Sequence, residues 1–264
     1  MVGVLGVSAS AILVRFSQAP SGVTAAYRLG WTVLLLLPVV LLRCRAELRR
    51  VTARDLVLCG ASGVLLALHF LTWFESLKRT SVASSTVLVS TEVIFTAMGF
   101  ALFLHGKIPR LGVWAILLAF GGSALLALSG GGGAGELSGN LLALAAASAA
   151  AVYTLIGRIQ RGHLSTTVYT FLTYLACFLT LLLGTAAAGT PLTGYGGREW
   201  LIGLALAVLC TLLGHSLFSW CLKYLSPSYV SAAKLCEPVF SSLAAIPLLS
   251  LIHISEPTRR SYIS

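Results

Sequence analysis

Residues 77–95 read LKRTSVASSTVLVSTEVIF, and residues 222–240 read LKYLSPSYVSAAKLCEPVF. The two stretches share a leucine, a lysine, a serine, a glutamate and a phenylalanine, each at an offset of 145 positions. In both copies a basic turn and a run of small and hydroxyl residues lead into an apolar segment with a carboxylate, Glu92 or Glu237, near its middle. A long-range repeat in an apolar chain predicts two structural halves that pack around a shared site.

The composition indicates an integral membrane protein. Of the 264 residues, 57% are hydrophobic and 10% are charged, whereas a soluble domain is about half apolar and a quarter charged. The mean hydropathy is +0.93. The apolar runs are long enough for helices to cross a hydrocarbon layer of about 30 Å, and the alternation typical of a membrane barrel is absent. The sequence therefore predicts an all-α integral membrane protein surrounded by a lipid bilayer.

Charge and cysteine content exclude several classes of partner. The net charge is +10, but the basic residues lie between the apolar segments, where membrane orientation explains them without a nucleic-acid partner. The six cysteines lie mostly inside apolar segments, with no Cys-x-x-Cys pair and no His-rich spacing. We therefore expect no disulfide, no metal site and no cofactor.

The apolar pattern predicts about nine membrane spans. They cover residues 2–14, 22–42, 55–77, 82–104, 111–128, 141–156, 165–187, 200–222 and 228–249. We expect a first transmembrane repeat over 1–129, a glycine-rich linker over 130–139 and a second repeat over 140–250. Residues 251–264 cannot cross a bilayer and look non-native, so that the second repeat lacks its last helix.

The loops predict the orientation of the two copies. The loop after span two and the other loops on its side carry ten basic residues, whereas the loops on the opposite side carry four. This bias predicts a cytoplasmic amino terminus. The repeated stretches begin five crossings apart, and an odd number of crossings inverts the second copy relative to the first. The pattern thus predicts two inverted five-helix repeats, a ten-helix carrier fold whose substrate site lies between the halves.

The chain resembles the EamA-like transporter family of the drug/metabolite transporter superfamily. The resemblance is carried by Tyr27-Arg28, by Trp73 with residues 77–81, by Gly121-Gly122, by residues 222–227 and by Glu237-Pro238-Val239-Phe240. It implies a secondary transporter of the cytoplasmic membrane that moves small metabolites or amino acids by alternating access. Efflux or exchange, coupling to protons and a homodimeric state are all compatible with this resemblance.

The midplane carboxylates are the leading site candidates. Glu92 and Glu237 hold equivalent places in the two copies, and burial favours the protonated form of a carboxyl group, so such a group could take up and release protons. Lys234 lies one helical turn before Glu237, which predicts an ion pair within that helix. Arg28 could bind a substrate carboxylate through its planar fork, or extend to the end of its helix.

Three further residues are candidates for the cargo or proton pathway. His69 and His215 lie in the third and eighth spans, near Trp73 and Trp220. A histidine inside a membrane helix can carry a proton or simply form a packing hydrogen bond. Trp220 could line a pore, although an aromatic side chain on a helix face more often serves packing.

Two other functional classes remain open from the sequence. Gly60-Ala61-Ser62-Gly63 looks like the serine motif of an intramembrane rhomboid protease, for which His215 could be the base. The same run of small residues is also typical of close helix packing in membranes. A non-transporting membrane scaffold is the third class, and the midplane carboxylates argue against it.

Overall fold

The computed structural model describes residues 2–107 and 134–236, with positions 110, 112–114, 117, 118, 121 and 240. All regular secondary structure in this part of the chain is helical. The helices are α1 (Val2–Phe16), α2 (Ser21–Arg43), α3 (Arg45–Leu48), α4 (Ala53–Arg79), α5 (Val82–Val89), α6 (Glu92–Phe103), α7 (Ala134–Gln160), α8 (Thr166–Ala187), α9 (Gly197–Ala205), α10 (Ser216–Cys221) and α11 (Pro227–Ala233). A π-helical segment, Leu206–His215, joins α9 to α10, and a 3-10 turn, Lys234–Cys236, follows α11.

Within the described residues, six helical segments are long and apolar enough to cross a membrane. They are Ser21–Arg43, Ala53–Arg79, Ser84–Phe103, Glu136–Gln160, Thr166–Ala187 and Gly197–Cys221. Large side chains such as Leu42 and Phe103 are exposed on their outer faces, as expected of a surface that contacts lipid. The all-α membrane fold is confirmed. Most of predicted spans five and nine, Gly122 and the tail lie outside the described residues, and the ten-helix inverted arrangement and the nine spans stay predictions.

Part of the predicted linker is helical, because α7 begins at Ala134. Gly139 lies against the end of α4, where an added Cβ would be 3.0 Å from the Cβ atoms of both Arg79 and Thr80. This glycine therefore permits close packing at the start of α7, whereas its place in the predicted linker over 130–139 indicated only a connection between the repeats.

The helix starts recur at nearly the offset of the sequence repeat. The starts of α2 and α8 are 145 residues apart, those of α4 and α9 are 144 apart, and those of α5 and α11 are 145 apart. The repeated serines also have the same local role. Ser81 Oγ accepts from the Ser84 amide at 3.0 Å, and Ser226 Oγ accepts from the Tyr229 amide at 3.3 Å. Each serine thus caps the helix that leads towards the repeated glutamate.

The helices pack so that α4 extends from one end of the bundle to the other. It lies against α7 and α8, while α1 lies against the π-helical segment and α2 against α8. With 27 residues, α4 is about 40 Å long. We call the end where α4 begins, with the turns that follow α2, α7 and α10, the Asp55 end. We call the opposite end, with the turns that follow α1, α4 and α8, the Glu199 end.

Candidate functional site

The helix that carries Glu92 is interrupted directly before this residue. The sequence predicted one continuous span over 82–104, but α5 ends at Val89 and α6 begins at Glu92. Ser90 and Thr91 form the turn between them, and their hydroxyl groups donate to carbonyl oxygens of the preceding turn, each at 2.7 Å. Such bonds compete with the regular helical pattern. Glu92 therefore lies at a break between two helices.

The second copy leaves regular α-helix at the corresponding place. α11 ends at Ala233, and the chain continues as a 3-10 turn from Lys234 to Cys236. α5 and α11 therefore end at matching positions of the repeat. In both copies the α-helix stops a few residues before the repeated glutamate. Glu237 itself lies outside the described residues.

A small polar cavity lies where these two breaks meet α1, α2, α4 and the π-helical segment. Its volume is about 30 Å³, enough for a water molecule but not for a metabolite. Its polar and charged lining includes Ser10, Arg28, His69, Glu92, His215 and Lys234. The cavity therefore brings together five of the charged or titratable residues that the sequence singled out: Arg28, His69, Glu92, His215 and Lys234.

Glu92 and Lys234 form an ion pair across the cavity. Lys234 Nζ lies 2.8 Å from Oε1 and 3.0 Å from Oε2 of the carboxylate, and both side chains are about nine-tenths buried. Thr154 Oγ1 and Ser231 Oγ donate to the same Oε1, at 2.9 and 3.3 Å. The expected partner of Lys234 was Glu237 on its own helix. Because Glu237 is outside the described residues, the pair within that helix stays a prediction.

Arg28 is held in the interior of the bundle. Its side chain is fully buried, and its Nε donates to Thr211 Oγ1 at 2.7 Å while its Nη1 donates to Ser10 Oγ at 3.1 Å. The guanidinium carbon lies 4.2 Å from the ring centroid of Phe70, a cation–π contact. Arg28 therefore points into the bundle and does not extend to the end of its helix, which favours the first of its two predicted roles.

The two candidate histidines lie in contact beside Arg28. The ring centroids of His69 and His215 are 6.3 Å apart. His69 Nδ1 donates to the Ala146 carbonyl oxygen at 3.0 Å, which orients its ring. His215 ends the π-helical segment, an irregular form that occurs often at functional sites. Because both rings line the cavity, either could contact cargo or carry a proton.

Trp220 is placed apart from this group. Half of it is exposed, and its ring centroid lies 5.0 Å from that of Tyr224. It follows the π-helical segment, whose wider turn shifts the face that later residues occupy. Its role in the cargo pathway remains a prediction that the geometry of the cavity does not support.

The serine of the protease-like motif is buried between two packed helices. Ser62 Oγ lies 2.9 Å from Tyr169 Oη and is fully buried, whereas His215 lines the central cavity. A Cβ added to Gly63 would lie 2.6 Å from both the Ala176 Cβ and the Thr173 carbonyl oxygen. The motif thus lies where α4 and α8 approach closely, as small residues permit in membrane helices.

We expect Gly63→Ala to destabilise the protein by about 1 to 3 kcal/mol, because the backbone of α8 must move to admit a methyl group. Gly60→Ala is the matched control. An added Cβ there meets no atom within 4 Å, so the better helix propensity of alanine should be neutral or stabilise by up to about 1 kcal/mol. Thermal unfolding of both variants in detergent measures the difference. Equal unfolding temperatures would contradict the close packing.

Sequence reasoning missed four hydroxyl groups that position the charged residues. Thr154 and Ser231 bond Glu92, and Ser10 and Thr211 bond Arg28. Ser231 precedes Lys234 by three residues, a spacing that places two side chains on one face of a helix. The others are ordinary residues of apolar helices, and local sequence gives no sign of their long-range partners.

Comparisons with known proteins agree with this architecture. A protein of known crystal structure, described only as "Crystal structure of protein", matches with a TM-score of 0.70 and 20% identity over 98% of this chain and 88% of that chain, which concerns the fold alone. No curated protein matches the chain. The family model of the EamA-like transporter family matches residues 1–128 and 137–251. The chain therefore belongs to the EamA-like transporter family, and it is a membrane transporter.

Proposed function

We propose that this protein is a secondary transporter that moves small metabolites or amino acids by alternating access, as an exporter or an exchanger. The observation that carries the proposal is the buried Glu92–Lys234 ion pair. It joins the two copies of the repeated stretch beside the small central cavity, so a movement of one half against the other must stretch or break it. Ionisable groups inside a membrane protein are costly and are retained mainly for function.

The local structure supports two related halves. The helix starts recur at offsets of 144 and 145 residues, and the family model matches in two segments, one in each half. Five crossings between the copies would invert one half relative to the other, and the site shared by inverted halves lies near the axis that relates them. The pairing of α2 with α8, the equivalent helices, fits such an axis.

The cavity has room for water only, so cargo enters after the halves have moved apart. Arg28, with its planar fork, and the Glu92–Lys234 pair would then face the opened space. A cargo with a carboxylate or an amino group could replace one partner of the pair. A proton on Glu92 would release Lys234 in the same way, which is a route for coupling proton movement to cargo movement.

The loop charges support a cytoplasmic amino terminus. The Asp55 end carries Arg45 in the short helix α3 and Arg49 and Arg50 in the turn after it, and basic loops stay in the cytoplasm. α1 ends with Phe16 at the Glu199 end, because Arg198 Nη2 donates to the Phe16 carbonyl oxygen at 3.0 Å. The amino terminus therefore lies at the Asp55 end, on the cytoplasmic side of the inner membrane.

We expect cells that express this chain to release at least one class of small metabolite faster than cells that express Glu92→Gln. Glutamine retains the shape of Glu92 but cannot hold Lys234 by charge or exchange a proton. A metabolite profile of the medium measures the effect, and Glu136→Gln, which changes an acid outside the cavity lining, is the control. Export that is equal in the wild type and in Glu92→Gln would refute the assigned site, and no export from any of them would refute the transport function.

A further inference from the structure

A buried acid at the Asp55 end connects the first half of the chain to the second. Asp55 is the third residue of α4, and its side chain is 7% exposed. Its Oδ1 accepts from His163 Nε2 at 2.6 Å and from Gln160 Nε2 at 3.2 Å. Gln160 ends α7, and His163 lies in the turn that follows it. We call this group the Asp55 latch.

The same kind of contact occurs at the other end with the two halves exchanged. Glu199 is the third residue of α9 and is buried. Its Oε2 accepts from Ser17 Oγ at 2.6 Å, and its Oε1 accepts from the Gln18 amide at 3.1 Å. Both partners lie in the turn that follows α1. We call this group the Glu199 latch.

The two latches occupy equivalent places in the repeat. Asp55 and Glu199 are 144 residues apart, and Gln18 and His163 are 145 apart. Each acid lies in the first turn of a helix, where a negative charge is favourable. Each acid binds the turn after the first helix of the opposite half, so both contacts cross between the halves.

The latches lie at opposite ends of the bundle. α4 begins at the Asp55 latch, and near its other end Lys78 Nζ donates to the Ala19 carbonyl oxygen at 2.8 Å. Ala19 follows Gln18 directly in the turn that Glu199 binds. The length of α4, about 40 Å, therefore separates the two contacts, with the central cavity between them.

We infer that Asp55 and Glu199 are the gating residues of the transport cycle, each holding the central cavity closed at its own end. The inference rests on the proposed transport function. Both latches are formed in this structure, and the cavity between them has room for little more than a water molecule. Opening towards one side requires one latch to break while the other persists. The acid and the turn separate as the halves move, because each belongs to a different half.

The latches differ in their partners. The Asp55 latch uses two side chains, and that of His163 is about half exposed. The Glu199 latch uses a buried hydroxyl group and a backbone amide, and Ser17 Oγ also lies 2.7 Å from Thr24 Oγ1 of α2. Replacing a latch partner therefore tests the Asp55 end without changing Asp55 itself, which also caps α4 together with Thr52.

The test is the sidedness of access to the cavity. Ser90, which lines the cavity, is replaced by cysteine in a full-length chain whose six native cysteines have been exchanged. A membrane-impermeant maleimide is then applied to inside-out and right-side-out vesicles. We expect Asp55→Asn and His163→Ala to speed labelling from the Asp55 side only, and Glu199→Gln from the Glu199 side only. The increase should be at least about five-fold, the equivalent of one net hydrogen bond.

Two control variants remove a charged side chain whose bonding partners lie in its own half of the chain. Glu75 at the Glu199 end bonds Ser21 and Arg79, and Arg158 at the Asp55 end bonds the Leu222 carbonyl oxygen. Glu75→Gln and Arg158→Gln should leave labelling from both sides unchanged. If Asp55 and Glu199 only stabilise the fold, replacing them would change labelling from both sides. Labelling that changes from both sides would therefore overturn the inference.

A cross-link tests the same inference in a folded protein. In a chain without native cysteines that carries Ser90→Cys, Ser17→Cys and Glu199→Cys, a reversible bis-methanethiosulfonate that joins positions 17 and 199 should close the Glu199 end and stop transport. Labelling of Ser90→Cys from the Asp55 side should be unchanged, and reduction should restore transport. Transport that continues after complete cross-linking would overturn the gating role. Transport by the parent chain is measured in parallel. If the parent transports and labelling is not sided, the gating inference fails alone, whereas a parent that transports nothing contradicts the proposed function.

Discussion

Replacing Lys234 with methionine is expected to lower the free energy of unfolding by about 3 kcal/mol and to abolish transport. The substitution removes the ammonium group that lies 2.8 Å from Glu92 Oε1 and retains an unbranched side chain of similar length. Among the described residues, the hydroxyl groups of Thr154 and Ser231 would then remain as hydrogen-bond donors to Oε1 of the buried Glu92 carboxylate. An isolated buried charge is costly, which is why breaking such a pair is more harmful than removing it entirely.

The double variant Glu92→Gln with Lys234→Met separates stability from function. Because both charges are absent, it should recover most of the stability that Lys234→Met loses, so that the two substitutions are not additive. Transport should stay absent, since neither a proton-exchanging group nor its partner remains. Thermal unfolding in detergent and transport in proteoliposomes give the two measurements on the same preparations.

Lys223→Met is the matched control for these variants. Lys223 is exposed and lies eleven residues before Lys234, so its loss should change neither stability nor transport. If Lys234→Met unfolded at the same temperature as Lys223→Met, the ion pair would contribute nothing to the fold. If the double variant were less stable than either single variant, the assumption that the buried charges act on each other would be wrong.

The repeat and the membrane class could be predicted because they depend on local sequence. The length and hydropathy of an apolar segment are enough to predict a membrane helix. The two serine caps and the two basic turns recur at a fixed spacing. The break before Glu92 was missed although its cause, a run of hydroxyl residues, was visible. Serine and threonine in membrane helices often bond to the preceding turn without ending the helix, so composition alone did not decide the outcome.

The partners of the charged residues could not be predicted, because they belong to distant elements. Lys234 bonds Glu92, which is 142 residues away, and nothing in the local spacing of Lys234 indicated this partner. Asp55 begins the predicted span 55–77, and His163 lies between the predicted spans 141–156 and 165–187, with no local sign that the two meet. Their contact depends on how α4 packs against α7, and one sequence carries no direct record of that packing.

Arg28→Lys is expected to reduce the transport rate by at least about ten-fold, although the positive charge is retained. Lysine cannot form the two directed bonds that Arg28 makes to Thr211 and Ser10. Its ammonium group is a compact charge without a planar fork, so it would not lie over Phe70 in the same way. Losing one or two buried hydrogen bonds to a charged group costs about 1.5 to 3 kcal/mol each, and ten-fold corresponds to about 1.4 kcal/mol.

Two further variants distinguish a role in binding from a role in folding. Ser10→Ala removes a single acceptor of Arg28 and should cost about 1 kcal/mol of stability, with transport reduced less than in Arg28→Lys. Arg15→Lys, at an exposed position one helix earlier, should change neither property. If Arg28 binds cargo, the apparent KM of Arg28→Lys should rise even at temperatures where the protein is fully folded. A wild-type KM combined with lower stability would instead assign Arg28 to holding α1, α2 and the π-helical segment together, and the cargo would have to be bound by Lys234 and the two histidines.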